Sequence, residues 1–179
     1  MLSQHYETYG LVAGAAAAVF EHLDDHRRLS SHMSKSSWMM GGGRMEVELD
    51  ADRGKKIGSR IRLAGRAFGI ELSVEEVVIE HDPPRRKVWE TTGSPRLLVI
   101  GHYRMGFELS PRGSDSATRV FIEYALPAQA PARWLGRLFG GCYARWCTRR
   151  MVNDAVEYFG SFASGAGATP TSDVERRPQ

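Results

Sequence analysis

Residues 131–162, PARWLGRLFGGCYARWCTRRMVNDAVEYFGSF, decide the fold. Two interleaved series step through the stretch by four. Leu135, Phe139, Tyr143, Cys147, Met151, Ala155 and Phe159 form one; Arg133, Arg137, Gly141, Arg145, Arg149, Asn153 and Glu157 form the other, offset by two. An offset of two is about 200° of helical rotation, so the series lie on opposite sides. The spacing predicts one long helix over about 131–160, apolar on one face and mostly basic on the other. Four residues overshoot a turn by about 40°, so the buried stripe winds around the helix, as packing on a curved, twisted sheet requires. The pair Gly140-Gly141 weakens the middle by about 1 kcal/mol per glycine, which allows a local kink.

Upstream of this helix, apolar residues alternate with polar ones. Met45, Val47 and Leu49 alternate with Arg44, Glu46 and Glu48; Ile61 and Leu63 alternate with Arg60 and Arg62. Such period-two patterning predicts strands over 44–50 and 58–67. In the next strand Ile70, Leu72 and Val74 share a face, and Val77 and Ile79 continue in the opposite phase. That reads as a slip at Glu75-Glu76, of the kind a β-bulge produces. Asp82-Pro83-Pro84 closes this strand. Strands over 86–92, 97–109 and 119–126 follow, the second with Tyr103, Met105, Phe107 and Leu109 on one face and the third with Val120, Ile122, Tyr124 and Leu126. A weakly alternating strand over 4–12 opens the chain. A helix over 13–23 and a short one over 25–32 come next, with Asp25 as N-cap of the second. The connections between strands are short, so the sheet is an antiparallel meander and the fold class is α+β.

The chain has 179 residues, enough for one domain with its own core. Residues 1–163 form that domain. Residues 164–179, rich in Gly, Ser, Thr, Pro and charge, read as a disordered tail. The net charge of +3, with no interleaving of basic and aromatic residues in the strands, argues against nucleic acid. Cys142 and Cys147 stand five apart on the helix and point about 140° from each other, which disfavours a bridge. With no convincing signal peptide and no membrane-length apolar run, this favours a reducing, cytoplasmic setting.

At this level the chain resembles the START/Bet v 1-like superfamily, often called SRPBCC, in its polyketide cyclase/dehydrase and lipid-transport group. The resemblance covers about residues 4–162. It is carried by the element order and by the helix–Asp–helix opening from Ala16 to Leu29 (AAAVFEHLDDHRRL). The strand from Ile70 to Arg86, ending in Asp-Pro-Pro-Arg-Arg, and the aromatic-rich last helix carry it too. It implies a helix-grip: a curved antiparallel sheet of six to seven strands wrapped around the long helix, with a cavity between them. Members bind lipids, sterols, polyketides or other hydrophobic molecules, and some are enzymes. The superfamily has no universal catalytic motif, so no catalytic residue is carried over.

Within that frame the inward faces nominate a ligand space. Tyr103, Met105, Phe107, Ile122 and Tyr124 on the strands face Tyr143, Cys147 and Met151 on the helix, and phenols there would orient a ligand. Phe159 on the helix is a further inward-facing aromatic. Trp38 and Met40, in the glycine-rich loop over 34–43, read either as parts of a lid or as a connector that plugs the core. That loop lacks the Lys-Ser/Thr and the following helix of a phosphate-binding loop. For catalysis the weak candidates are Tyr103, Tyr124 and Glu90. Glu90 is an acid only if it faces inward, and the preferred reading places Trp89 inward instead. Lys35, Lys55, Lys56 and Lys87 all fall in loops or among other charges, which argues against Schiff-base chemistry. His22 and His26 have the spacing of ligands on one helix face, but Asp24-Asp25 interrupts the helix; with His32 they read as solvated. Neither metal nor cofactor is expected. The basic helix face reads first as a solvated surface and second as one for transient contact with an anionic membrane.

The leading expectation is binding of a hydrophobic small molecule (lipid, polyketide-like or aromatic). The second is a polyketide cyclase/dehydratase-type enzyme using cavity tyrosines and an acid.

Overall fold

The structure is a computed structural model and describes residues 2–30 and 44–165. Strand β1 (Gln4–Val12) is followed by helices α1 (Ala16–Asp24) and α2 (His26–Leu29). Six strands come next: β2 (Arg44–Leu49), β3 (Arg60–Ala67), β4 (Ile70–Asp82), β5 (Arg86–Arg96), β6 (Tyr103–Arg112) and β7 (Asp115–Tyr124). Helix α3 (Ala130–Gly165) ends the described chain. The strands form one antiparallel sheet in the order β1-β7-β6-β5-β4-β3-β2. Only β1 departs from sequence order, because α1 and α2 carry the chain from one edge of the sheet to the other.

Asp25 caps α2 as its position suggests, its Oδ1 accepting from the backbone N–H groups of Arg27 (3.1 Å) and Arg28 (3.4 Å). Helix α3 is continuous through Gly140-Gly141 and includes Ser164 and Gly165, which the sequence assigned to the tail. Positions 166–179, like the lid candidates Trp38 and Met40 and also His32, lie outside the described residues.

The glycines of α3 set how closely it packs. A Cβ on Gly136 would stand 2.7 Å from the Val99 carbonyl oxygen, and one on Gly140 would stand 3.0 Å from the same atom. The buried stripe therefore begins with Gly136, Gly140 and Ala144 before passing to Cys147, Met151 and Ala155. Phe139, placed in the buried series by its spacing, is 52% exposed. Further along α3, the Thr148 hydroxyl meets that of Thr8 on β1 at 2.8 Å.

Two strand expectations need correction. The strand expected from Leu97 begins at Tyr103, because residues 97–102 leave the sheet to form the seat for α3. Gly101 N–H donates to Ala125 O and Ala125 N–H to His102 O across that connection. In β4 the burial alternates without a slip: Leu72, Val74, Glu76 and Val78 are all buried. Shifts in the pairing with β5 occur on either side, between Ser73 and Glu75 and between Val78 and Glu80. The apparent change of phase was an inward-facing glutamate.

Candidate functional site

Six of the expected residues do line one interior space: Tyr103, Met105 and Ile122 from the sheet, and Tyr143, Cys147 and Met151 from α3. Met45, Leu63, Val74 and Trp89 extend the sheet wall, Leu97 and Ile100 come from the 97–102 connection, and Leu29 and Ser30 come from the α2 end. The space is small. Its volume is about 40 Å3, where one water needs roughly 10–15 Å3. Three of its walls are methionines, Met45, Met105 and Met151, whose unbranched side chains re-pack easily.

Two expected lining residues are elsewhere. Phe107 is fully buried but packs edge-on against Phe20 (ring centroids 5.3 Å apart) and Trp89 (6.5 Å), as core. Tyr124 is buried beside the glycines of α3, its hydroxyl 3.9 Å from the position of a Cβ on Gly141. Phe159, the other inward candidate, stacks edge-on against His22 at 5.6 Å, outside this space. Glu90 is on the outer face, where its carboxylate meets Arg104 at 3.2 Å, while Trp89 next to it is 2% exposed and inward. Pleating allows only one of two adjacent residues to face in, and Glu90 is not a cavity acid.

The acid at the cavity is Glu76. The Tyr103 phenol donates to its Oε1, and the His26 Nε2 stands 3.2 Å from its Oε2. Glu76 is 3% exposed and His26 2%, so the solvated reading of His26 is wrong. The Asp24-Asp25 break that seemed to spoil the histidine spacing instead starts a new helix whose first residue, His26, turns inward. There its ring packs edge-on against Trp89 at 5.1 Å. His26 Nδ1 is buried with no hydrogen-bond partner among the described residues. Burial, and after it the charge of Glu76, hold the Tyr103 phenol well above its ordinary pKa, so it remains a donor. Burial raises the Tyr143 phenol as well, and it pushes the Cys147 thiol up to about 12, with Glu76 adding to the effect. The cavity is thus an apolar chamber with one polar corner built from three elements. The alternation Leu72–Val74–Glu76–Val78 was the signal for Glu76 in the sequence. None marked His26.

A second buried polar cluster adjoins the core. Lys87, read from sequence only as one charge among others, is fully buried on the inward face of β5. Its Nζ donates to Asp24 Oδ1 at 2.7 Å and to the Asp24 carbonyl at 3.1 Å, and His81 Nε2 stands 3.2 Å from the same Oδ1. Burial lowers the Lys87 pKa against the opposing pull of Asp24. The ammonium clasps the C-terminus of α1, where a cation is favoured. It does not line the cavity. No three His, Cys, Asp or Glu among the described residues are arranged to hold a metal. No helix among them is long and apolar enough to cross a membrane.

No family model and no curated protein matches the chain by sequence. Solved structures do match by shape. The Zhui aromatase/cyclase from Streptomyces sp. R1128 superposes with a TM-score of 0.68 at 14% identity, over 93% of this chain and 99% of that one. Norcoclaurine synthase from Thalictrum flavum gives 0.60 at 13% identity, over 87% and 85% of the two chains. Ara h 8.0201 gives 0.59 at 11% identity, over 86% and 98%. The chain has the START/Bet v 1-like helix-grip fold, a curved antiparallel sheet closed by a long C-terminal helix, as the sequence resemblance implied.

Proposed function

We propose that this protein binds a hydrophobic small molecule between the sheet and α3, and that the ligand is lipid, polyketide-like or aromatic with one hydroxyl or carbonyl group. The observation that carries this reading is an apolar chamber with a single polar corner, in which His26 Nδ1 lacks a partner among the described residues. A buried polar atom without a partner is unfavourable by about 1–3 kcal/mol, and a ligand oxygen or hydroxyl would relieve it. The apolar remainder of the ligand displaces Met45, Met105 and Met151, which supply the room that the small cavity lacks. The fold supports the reading, since structures sharing it include an aromatase/cyclase and norcoclaurine synthase.

One observation favours a second reading, an enzyme of the polyketide cyclase/dehydratase type. A buried carboxylate bonded to both an imidazole and a phenol holds the parts of an acid–base relay, and such clusters are found at functional sites. In that reading Glu76 and His26 exchange the proton and Tyr103 orients the carboxylate; Glu90 and Tyr124 have no part.

Native mass spectrometry and uptake of an apolar fluorophore test the binding. The purified protein is expected to take up the probe, and His26→Phe to alter the preference for oxygenated ligands over hydrocarbons of equal size. A native protein that takes up neither probe nor extracted ligand would overturn the proposal.

A further inference from the structure

The outer side of α3 carries a feature that neither a packed core nor the cavity explains. Trp134 is 63% exposed, and Leu138 and Phe139 are each 52% exposed. Trp134, Leu138, Arg145 and Arg149 fall within about 60° of one another around the helix, opposite the seat of Gly136 and Gly140. Between residues 130 and 152 the sequence has five arginines and no Asp or Glu. Two of the five are engaged: Arg133 donates to the carbonyls of Pro127 and Ala128, and Arg150 pairs with Asp154. Arg137, Arg145 and Arg149 are exposed and form no ion pair among the described residues.

We infer that this face docks on an anionic lipid bilayer, with Trp134 and Leu138 entering the headgroup boundary and Arg145 and Arg149 meeting lipid phosphates. Three observations select this occupant. A second copy is disfavoured, since two such faces would oppose arginines with no carboxylates to pair them. The surface is the convex side of a single helix, which offers no groove for a folded partner but suits a planar interface, where Trp and flanking Arg are favoured. The face also backs onto the cavity wall. Val99, on whose carbonyl Gly136 and Gly140 sit, belongs to the same short connection as Leu97 and Ile100, which line the chamber. A bilayer against the outer side of α3 would therefore lie one helix thickness from this connection, which lines part of the cavity. This inference does not depend on the ligand reading, because docking requires only the outer face.

The test is sedimentation of the full chain with two kinds of vesicle, phosphatidylcholine alone and phosphatidylcholine with phosphatidylglycerol in equal parts. Binding is expected only to the anionic vesicles and is expected to weaken with added salt. Arg145→Gln/Arg149→Gln should reduce it roughly tenfold or more, at about a kilocalorie per arginine near the surface. Trp134→Ser/Leu138→Ser should also reduce it, even in low salt. None of these four side chains is buried, so circular dichroism should be unchanged. Uptake of the apolar fluorophore without vesicles should also be unchanged, which separates failure of docking from failure of the cavity. Absence of binding to anionic vesicles, equal binding to both kinds, or variants that bind like the parent would overturn the inference. So would a dimer in sedimentation equilibrium that Trp134→Ser/Leu138→Ser converts to monomer, since a second copy would then cover the face.

Discussion

The phenol of Tyr103 on β6 donates to the carboxylate of Glu76 on β4, across the full width of β5. The bond ties together two strands that are not neighbours, inside a cavity wall where Glu76 is 3% exposed. Tyr103→Phe removes the donor and leaves His26 as the remaining side-chain partner of that carboxylate among the described residues. A buried acceptor left without its bond costs about 1–3 kcal/mol. Urea unfolding should show a loss in that range with an unchanged slope. An unchanged midpoint would show that the bond adds nothing to stability.

The two thiols should separate by reactivity. Cys142 is exposed, and Cys147 is buried with its pKa pushed up to about 12. Since the thiolate is the reacting species, a disulfide reagent at neutral pH should modify one thiol quickly and the second only on unfolding. The same shift has a pH consequence. A thiol whose folded pKa is raised contributes stability that is complete below its unfolded value, near 9, and is lost as pH rises towards the folded value, about 12. Tyr103 and Tyr143, raised in the same direction, act with it at high pH. Cys147→Ala should therefore flatten the alkaline fall in melting temperature. Two equally fast thiols would contradict the burial.

Much of this fold was legible because backbone periodicity reports burial directly. The four-residue steps of 131–162 and the alternation in six strands each require one face to be hidden, and the sheet order follows from short connections. Polar residues taken inside broke the rule. Glu76 occupies an inward position in register with Leu72, Val74 and Val78, yet its chemistry made the strand look out of phase. Lys87 and His26 are hidden for the same kind of reason. Each is acceptable inside only because Asp24 or Glu76 waits there, and those partners are 63 and 50 residues away in sequence. A pairing at that range leaves no local signature. Phe107 and Tyr124 show the complementary limit: facing inward is a property of the strand, but touching the cavity depends on how Phe20 and the glycines of α3 fill the remainder.

Lys87 and Asp24 should behave as a unit. Lys87→Met leaves the carboxylate of Asp24, 5% exposed, without its ammonium partner. Breaking a buried pair from one side costs roughly 3–5 kcal/mol. Replacing Asp24 by Leu in the same chain should recover part of that loss, because no uncompensated charge then remains. The measurement is a double-mutant cycle in chemical denaturation; strictly additive losses would show that the pair is not coupled.

Gly136→Ala sets two effects against each other. Alanine favours the helix by about 1 kcal/mol. Its methyl, however, would stand 2.7 Å from the Val99 carbonyl oxygen and 2.8 Å from Pro127 Cδ, so α3 or the 97–102 connection must move. The expected result is net destabilisation in thermal unfolding together with altered uptake of an apolar probe, since Leu97 and Ile100 belong to the displaced connection. A higher melting temperature would show that propensity outweighs the contact and that the helix seat is loose.

Met151 and Phe107 distinguish a chamber from a core. Met151 lines the cavity, whereas Phe107 is wedged between Phe20 and Trp89. Enlarging a side chain in a dense core costs about 1–3 kcal/mol through strained rotamers and backbone shifts. Phe107→Trp should therefore lower stability by that order and leave probe affinity nearly unchanged. Met151→Trp grows into the cavity, where Met45 and Met105 can re-pack, so it should cost less stability than Phe107→Trp while weakening probe uptake. The two variants thus predict opposite patterns in one pair of measurements. If Met151→Trp is the more destabilising and leaves binding intact, the space beside Met151 is not where a ligand goes.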